Sequence, residues 1–149
     1  MATSVRSVRS VSYERDFAAW AEAQAEALRA GRLDALDLAN LAEEIGDLSN
    51  RERDALESHL ETLIMHLLKW RYQPARRSRS WEATIRVARR NIAKLLRRSP
   101  SLRRGLSASL DEVYPNARIR AAVATRLPDD AMPETCPFTV DQITGEWMP

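Results

Sequence analysis

Cysteine and glycine are both scarce in this chain: one cysteine, Cys136, and four glycines stand among 149 residues. A single thiol cannot close an intramolecular disulfide or supply a thiolate-rich metal site, so disulfide scaffolds and zinc fingers are excluded. It is also typical of a reducing compartment, and we expect a cytoplasmic protein. The abundant Leu, Ala, Arg and Glu lose little rotamer freedom in helices, which this composition therefore favours.

Long apolar runs are missing as well. The longest, residues 63–68, is interrupted by His66, whereas a bilayer-spanning helix needs about 20 apolar residues. We therefore expect no membrane partner. Residues 1–12 are rich in Arg and Ser and lack the apolar core of a secretory signal. They are predicted to be a disordered tail before one helical domain, residues 13–149.

The common catalytic motifs are absent too. The sequence contains no phosphate-binding loop, no dinucleotide-binding glycine pattern, no HExxH and no nucleophile elbow. Cys136 stands between Thr135 and Pro137 in a predicted loop, with only two histidines in the chain to activate it, and is interpreted as incidental. These absences favour a protein without catalysis of its own, and no cofactor is expected.

Apolar periodicity predicts helices along most of the chain. Gly46 and Ser49 predict a break between the second and third helices, Ser80 is the expected cap of the fourth, and Pro115 is expected to kink or restart the fifth. The predicted helices span about residues 13–30, 37–48, 50–72, 81–98 and 102–127. A short helix near 140–145 follows a capping box of Thr139 and Gln142. The fold class is therefore all-α, a single-domain bundle of about five main helices plus a short C-terminal helix.

Charge is strongly segregated along the chain. Residues 69–104 carry thirteen basic side chains and one acidic one, Glu82, whereas both flanking segments are net acidic. Such a segment can attract nucleic acid or an acidic partner. It can equally be neutralised inside the molecule, because the acidic excess of the flanks nearly cancels it.

The basic segment provides candidate contacts to an anion. Its aromatic side chains, Trp70, Tyr72 and Trp81, could add stacking to phosphate neutralisation on single-stranded nucleic acid. The alternative places the tryptophans in the core and pairs the arginines with helix ends or with acids. The candidate contact residues are Arg71, Arg76, Arg77, Arg79, Arg86, Arg90, Lys94 and Arg97.

A weaker constellation predicts a metal site. His66 on the third predicted helix could join Glu44 and Asp37 of the second, because helical bundles build metal sites from facing helices. The spacing of His59 and His66, two turns apart, does not suit one ion. The alternative is that both histidines are hydrogen-bonded residues at a helix edge.

Several segments together resemble a known family. They are YERDFAAWAEAQAEALRAG at 13–31, LDLANLAEEI at 36–45, LIMHLLKWRYQPARRSRSWEATI at 63–85, SPSL at 99–102 and CPFTVDQI at 136–143. The chain resembles the bacterial family called domain of unknown function twenty-nine, over roughly residues 13–149. The resemblance implies an all-helical domain and supplies no activity, substrate or catalytic residue.

Three hypotheses about function follow. The leading one is a non-catalytic interaction or regulatory module with a protein partner, either a second copy or another protein. The second is a nucleic-acid-binding protein that uses the basic segment 69–104. The third is a metal-dependent helical-bundle enzyme that uses His66, Glu44 and Asp37.

Overall fold

Five α-helices make up most of residues 11–149, the part of the chain described in the computed structural model. They are α1 (Phe17–Arg29), α2 (Leu38–Tyr72), α3 (Arg79–Arg98), α4 (Leu106–Thr125) and α5 (Val140–Thr144). Short 3-10 turns stand at Leu33–Ala35, Pro74–Arg76, Pro100–Gly105 and Asp129–Ala131. No strand occurs in these 139 residues, and the predicted all-α class is confirmed.

The contacts divide the chain into two compact units, residues 1–49 and 50–149, and the boundary falls within α2. The predicted disordered tail, residues 1–12, lies almost entirely outside the described residues. A single helical domain over residues 13–149 remains a prediction.

The first unit contains α1 and the beginning of α2. Asp16 caps α1, because its side chain accepts a hydrogen bond from the Ala19 amide at 3.0 Å. The chain turns at Gly31, whose φ of +68° suits the residue that follows a helix. The predicted start at Tyr13 is four residues too early, because Tyr13 to Arg15 form a turn.

The predicted break between residues 46 and 49 is wrong, because α2 continues through it without interruption. Glycine within a helix costs only about 1 kcal/mol relative to alanine, which a helix of 35 residues easily tolerates. Its N-terminal cap is Asp37, whose Oδ1 accepts a hydrogen bond from the Asn40 amide at 3.3 Å.

The second unit holds the main core. Its centre is the second half of α2, where six aliphatic side chains are almost fully buried, as their four-three spacing predicts. Residues of α3, α4 and the C-terminal segment pack around them. The six are Leu56, Leu60, Leu63, Ile64, Leu67 and Leu68.

Two boundaries around α3 and α4 differ from the sequence prediction. Ser78 caps α3, because its hydroxyl accepts from the Trp81 amide at 3.2 Å, whereas the sequence favours Ser80 as the cap. Helix α4 continues across Pro115. After the proline, small side chains including Ala117 and Ala121 lie in the core, whereas Ile119 and Val123 are exposed.

The short helix α5 confirms the predicted capping box. The Thr139 hydroxyl accepts from the Gln142 amide at 3.2 Å, and the Gln142 side chain accepts from the Thr139 amide at 3.0 Å. Phe138 precedes the cap and Ile143 lies within the helix, and both are buried in the core of the second unit.

Candidate basic interface

Four cations share one exposed face of α3: Arg86, Arg90, Lys94 and Arg97. At 100° per residue they fall within an arc of about 80°, and they extend about 16 Å along the helix. None of them forms an ion pair or a hydrogen bond with another side chain in residues 11–149. The opposite side of α3 is buried through Ile85, Ala88 and Ile92. We call these four residues the basic face of α3.

Other cations of the basic segment are engaged inside the fold. The Lys69 ammonium lies 4.3 Å from the centre of the Trp81 ring, and burial lowers the pKa of Lys69. Arg77 donates from Nε to the Trp70 carbonyl at 2.8 Å and lies over the Trp70 ring. Arg98 pairs with Glu52 at 3.7 Å. Of these contacts only the pair of Arg98 with Glu52 joins a cation to an acid, and the basic face of α3 is left without an ion pair to a described residue.

The remaining candidate cations lie near the turn between α2 and α3. Arg71 is exposed at the end of α2, with its guanidinium carbon 5.7 Å from the centre of the Tyr72 ring. Arg76 belongs to the 3-10 turn and Arg79 begins α3, and both are exposed. On the helical repeat Arg79 lies within the same arc as the basic face, about two turns before Arg86.

Arg89 holds the C-terminal segment against α3, a role that was not predicted from the sequence. Its guanidinium lies between α3 and the C-terminal segment, where it donates to the carbonyl oxygens of Gln142 at 2.8 Å, Ile143 at 3.1 Å and Trp147. The half-buried position lowers the pKa of Arg89, mainly through desolvation. The only feature of the sequence that could have indicated this role is the position of Arg89 next to Ala88, at the border of the apolar face. The carbonyl groups that accept its hydrogen bonds could not be predicted from the sequence.

This contact forms one wall of an open cleft of about 480 Å³. Arg86 and Arg90 contribute their side chains to the cleft, and Glu82 and Glu146 place two carboxylates on its lining. The basic face of α3 therefore continues into a concave site where a carboxylate from outside could accept hydrogen bonds from two guanidinium groups.

The aromatic side chains of the basic segment are not arranged for base stacking. Trp70 and Tyr72 pack against the core, and each has an arginine over its ring. Trp81 is half-buried beneath the Lys69 ammonium. A base that stacked on these rings would have to displace cations of the chain itself.

The candidate metal ligands each have other contacts. Asp37 accepts hydrogen bonds from the side chains of Asn40 at 2.7 Å and Trp20 at 3.2 Å, and the bond from Asn40 is the main reason that its pKa is lowered. Glu44 accepts a hydrogen bond from Tyr13 at 2.6 Å, which raises the pKa of Tyr13 to about 12.

His66 lies on the same uninterrupted helix as Glu44, whereas the metal hypothesis required two separate helices. Its Nδ1 is 2.8 Å from the Thr62 carbonyl, and partial burial lowers its pKa. No group of three or more His, Cys, Asp or Glu side chains among the described residues could hold a metal ion.

Cys136 is half-buried near the Phe138 carbonyl, and burial raises the pKa of its thiol. A thiol with a raised pKa is a poor nucleophile at neutral pH. Within the described part of the chain, no helix is both long enough and apolar enough to cross a membrane.

Comparison with known proteins identifies the family. No curated protein and no solved structure matches the chain. The family model "Domain of unknown function DUF29" matches residues 12–148, nearly the whole sequence. The chain therefore belongs to the DUF29 family, as its sequence segments suggested.

Proposed function

We propose that this chain is a non-catalytic binding module of the bacterial cytoplasm, and that the basic face of α3 binds an acidic surface of a partner protein. The observation that carries the proposal is the exposure of Arg86, Arg90, Lys94 and Arg97 along one line, without an ion pair to a described acidic residue. Cytoplasmic placement rests on the lone Cys136.

The geometry suits an elongated acidic surface better than a small anion. Unpaired surface cations increase the association rate and select the orientation of a partner whose potential is complementary. The row along α3 offers three spacings of three or four residues, which a helix with acidic side chains at the same repeat can match. Arg86 and Arg90, at the mouth of the cleft, can each bind a carboxylate through two parallel hydrogen bonds.

Single-stranded nucleic acid is the less favoured occupant. Proteins that bind it without sequence preference combine a cationic groove with exposed aromatic rings. Here Trp70, Tyr72 and Trp81 are half-buried and lie beside intramolecular cations. The basic face of α3 alone would contact phosphates, and this possibility is an outcome of the test below.

The test is fluorescence anisotropy with a labelled twenty-residue polyglutamate peptide and with labelled single- and double-stranded oligonucleotides, at low and physiological salt. We expect saturable binding of the peptide that weakens with salt. The variant Arg86→Glu/Arg90→Glu/Lys94→Glu should lose at least tenfold in affinity, about 1.4 kcal/mol. The matched control, Arg53→Glu/Arg103→Glu/Arg104→Glu, changes three other exposed cations by the same charge and should lose much less.

Two results would contradict the proposal. Equal losses in both triple variants would show that binding depends only on total charge. Tighter binding of an oligonucleotide than of the peptide, with the same dependence on Arg86, Arg90 and Lys94, would assign the face to nucleic acid instead.

A further inference from the structure

The cleft between α3 and the C-terminal segment collects five charged side chains. Its volume of about 480 Å³ lies within the range of about 300–1,000 Å³ that small-molecule sites occupy. Three guanidinium groups and two carboxylates line it, and none of the five forms an ion pair with another described side chain. The formal charge of the lining is therefore +1, which one negative charge balances. The five are Glu82, Arg86, Arg89, Arg90 and Glu146.

The charge of Arg89 is only partly compensated inside the fold. The carbonyl oxygens that accept hydrogen bonds from its Nε and Nη2 are neutral. Its Nη1 faces the Met148 sulfur at 3.8 Å, and a thioether is a weak acceptor. Desolvation lowers the pKa of Arg89, and the nearby charge of Glu146 offsets this effect only in part. A half-buried cation in this setting gains most from a charged acceptor, which can approach from the cleft because Arg89 and Met148 both line it.

Arg86 and Arg90 provide further donors in the same cleft. Both side chains are exposed, and neither donates a side-chain hydrogen bond to another described residue. Each guanidinium presents a planar fork of donors that matches the two oxygens of a carboxylate. A carboxylate at Arg89 therefore has a second guanidinium within the same lining, and its binding breaks no existing ion pair.

Glu82 and Glu146 limit the charge of a ligand in the cleft. A ligand with two negative charges, such as a phosphate monoester or a dicarboxylate, exceeds the +1 of the lining and is repelled by these two carboxylates. A ligand with one negative charge does not. The thioether of Met148 and the alkyl stems of the arginines offer apolar contact beside the charges.

We propose that this cleft binds a small monocarboxylate with a short apolar chain. The carboxylate accepts hydrogen bonds from Arg89 and from one of the two exposed arginines beside it, and the apolar chain lies against Met148. This ligand is distinct from the acidic protein surface of the proposed function. The two share only Arg86 and Arg90, at the mouth of the cleft.

Three six-carbon probes test the site at low ionic strength: hexanoate, adipate and 1-hexanol, which carry one, two and no negative charges. Binding is followed by nuclear magnetic resonance of the Met148 methyl group, assigned with Met148→Leu, and of the Arg89 Nε–H group. We expect hexanoate to shift both signals saturably. Adipate and 1-hexanol should each bind about fivefold more weakly, which corresponds to about 1 kcal/mol.

A change in the charge of the lining then tests the selectivity. The variant Glu82→Gln/Glu146→Gln raises the formal charge of the lining from +1 to +3, and adipate should become the tighter ligand of the two carboxylates. The control Glu112→Gln/Glu134→Gln removes two other exposed carboxylates and should keep the preference for hexanoate. Circular dichroism confirms that both variants are folded.

Three results would overturn the proposal. They are the absence of saturable shifts at Met148 and Arg89 with hexanoate, an equal affinity for 1-hexanol, and a preference that does not change in Glu82→Gln/Glu146→Gln or changes equally in the control. Both variants retain all four cations of the basic face of α3. Binding of the polyglutamate peptide can therefore be measured on the same samples, and a failure of hexanoate binding leaves the proposed function untouched.

Discussion

Arg89 illustrates how one side chain can hold a segment that has little structure of its own. The residues after α5 have no regular secondary structure, only bends at Gly145 and Glu146, yet three backbone carbonyls between residues 142 and 147 converge on this guanidinium. Arginine suits this position because its planar fork directs several donors at once, whereas lysine provides a single point charge.

Arg89→Met should lower the free energy of unfolding by about 2 kcal/mol, because the three carbonyls lose a charged donor in a half-buried setting. Arg89→Lys should recover only part of this loss. Urea unfolding followed by circular dichroism measures both effects. The neighbouring Arg90→Met is the control and should stay within about 0.5 kcal/mol of wild type, since Arg90 is exposed. Equal stability of Arg89→Met and wild type would show that the contact contributes nothing.

His66 should make stability depend on pH below neutrality. Burial lowers its pKa below the ordinary value of 6.5, and the charges of Lys69 and Arg120 act in the same direction. Because the unfolded chain then takes up a proton more readily than the folded one, stability is full above pH 6.5. It declines as the pH falls through the lowered pKa.

Thermal unfolding at pH 8.0 and at pH 5.5 measures this dependence, and we expect a lower melting temperature at pH 5.5. The variant His66→Asn removes the titrating group, so that the difference between the two pH values should become smaller. A difference that is unchanged in the variant would assign the pH dependence to other groups.

At the scale of the helices, a substitution at Gly46 distinguishes the helix break predicted from the sequence from the continuous α2 of the structure. An added Cβ there meets no heavy atom within 4 Å, and the residue lies within the continuous α2. Gly46→Ala should therefore stabilise the protein by about 0.5–1 kcal/mol, because alanine has the higher helix propensity. The control is Gly31→Ala: φ at Gly31 is +68°, which strains any side chain, so this variant should be destabilised. Destabilisation by Gly46→Ala in thermal unfolding would indicate a helix break after all.

The sequence predicted best those features that are fixed by local interactions. The capping box of Thr139 and the buried stripe of residues 56–68 depend on neighbours a few positions away, and both are present. The break predicted near Gly46 failed because it depended on the balance between a weak local signal and a long helix, and α2 continues through it. Helix α4 also continues across Pro115, so it does not restart there.

The candidate site was predictable in part. The spacing of Arg86, Arg90, Lys94 and Arg97 predicts that they share one helix face, and they are exposed there. The sequence does not predict which cations of the basic segment form intramolecular contacts, because their partners lie at distant positions in the chain. Arg98 pairs with Glu52, and Arg89 binds carbonyls more than fifty residues away.

At the scale of the whole molecule, the charges are segregated along the chain. Residues 11–49 carry nine acidic and three basic side chains, whereas the basic face of α3 lies in the second unit. Because salt screens exposed charges, the affinity of this face for an acidic peptide should fall as ionic strength rises. A salt titration followed by fluorescence anisotropy measures this dependence, and an affinity that does not change with salt would contradict an electrostatic interface.

Binding of an acidic partner to the basic face of α3 can be located residue by residue with nuclear magnetic resonance. The polyglutamate peptide is titrated into ¹⁵N-labelled protein at physiological salt, and backbone amide shifts are followed. We predict the largest shifts between Arg86 and Arg97, with little change at residues 38–48. Shifts spread evenly over all exposed cations, or none along α3, would show that this face is not the binding site.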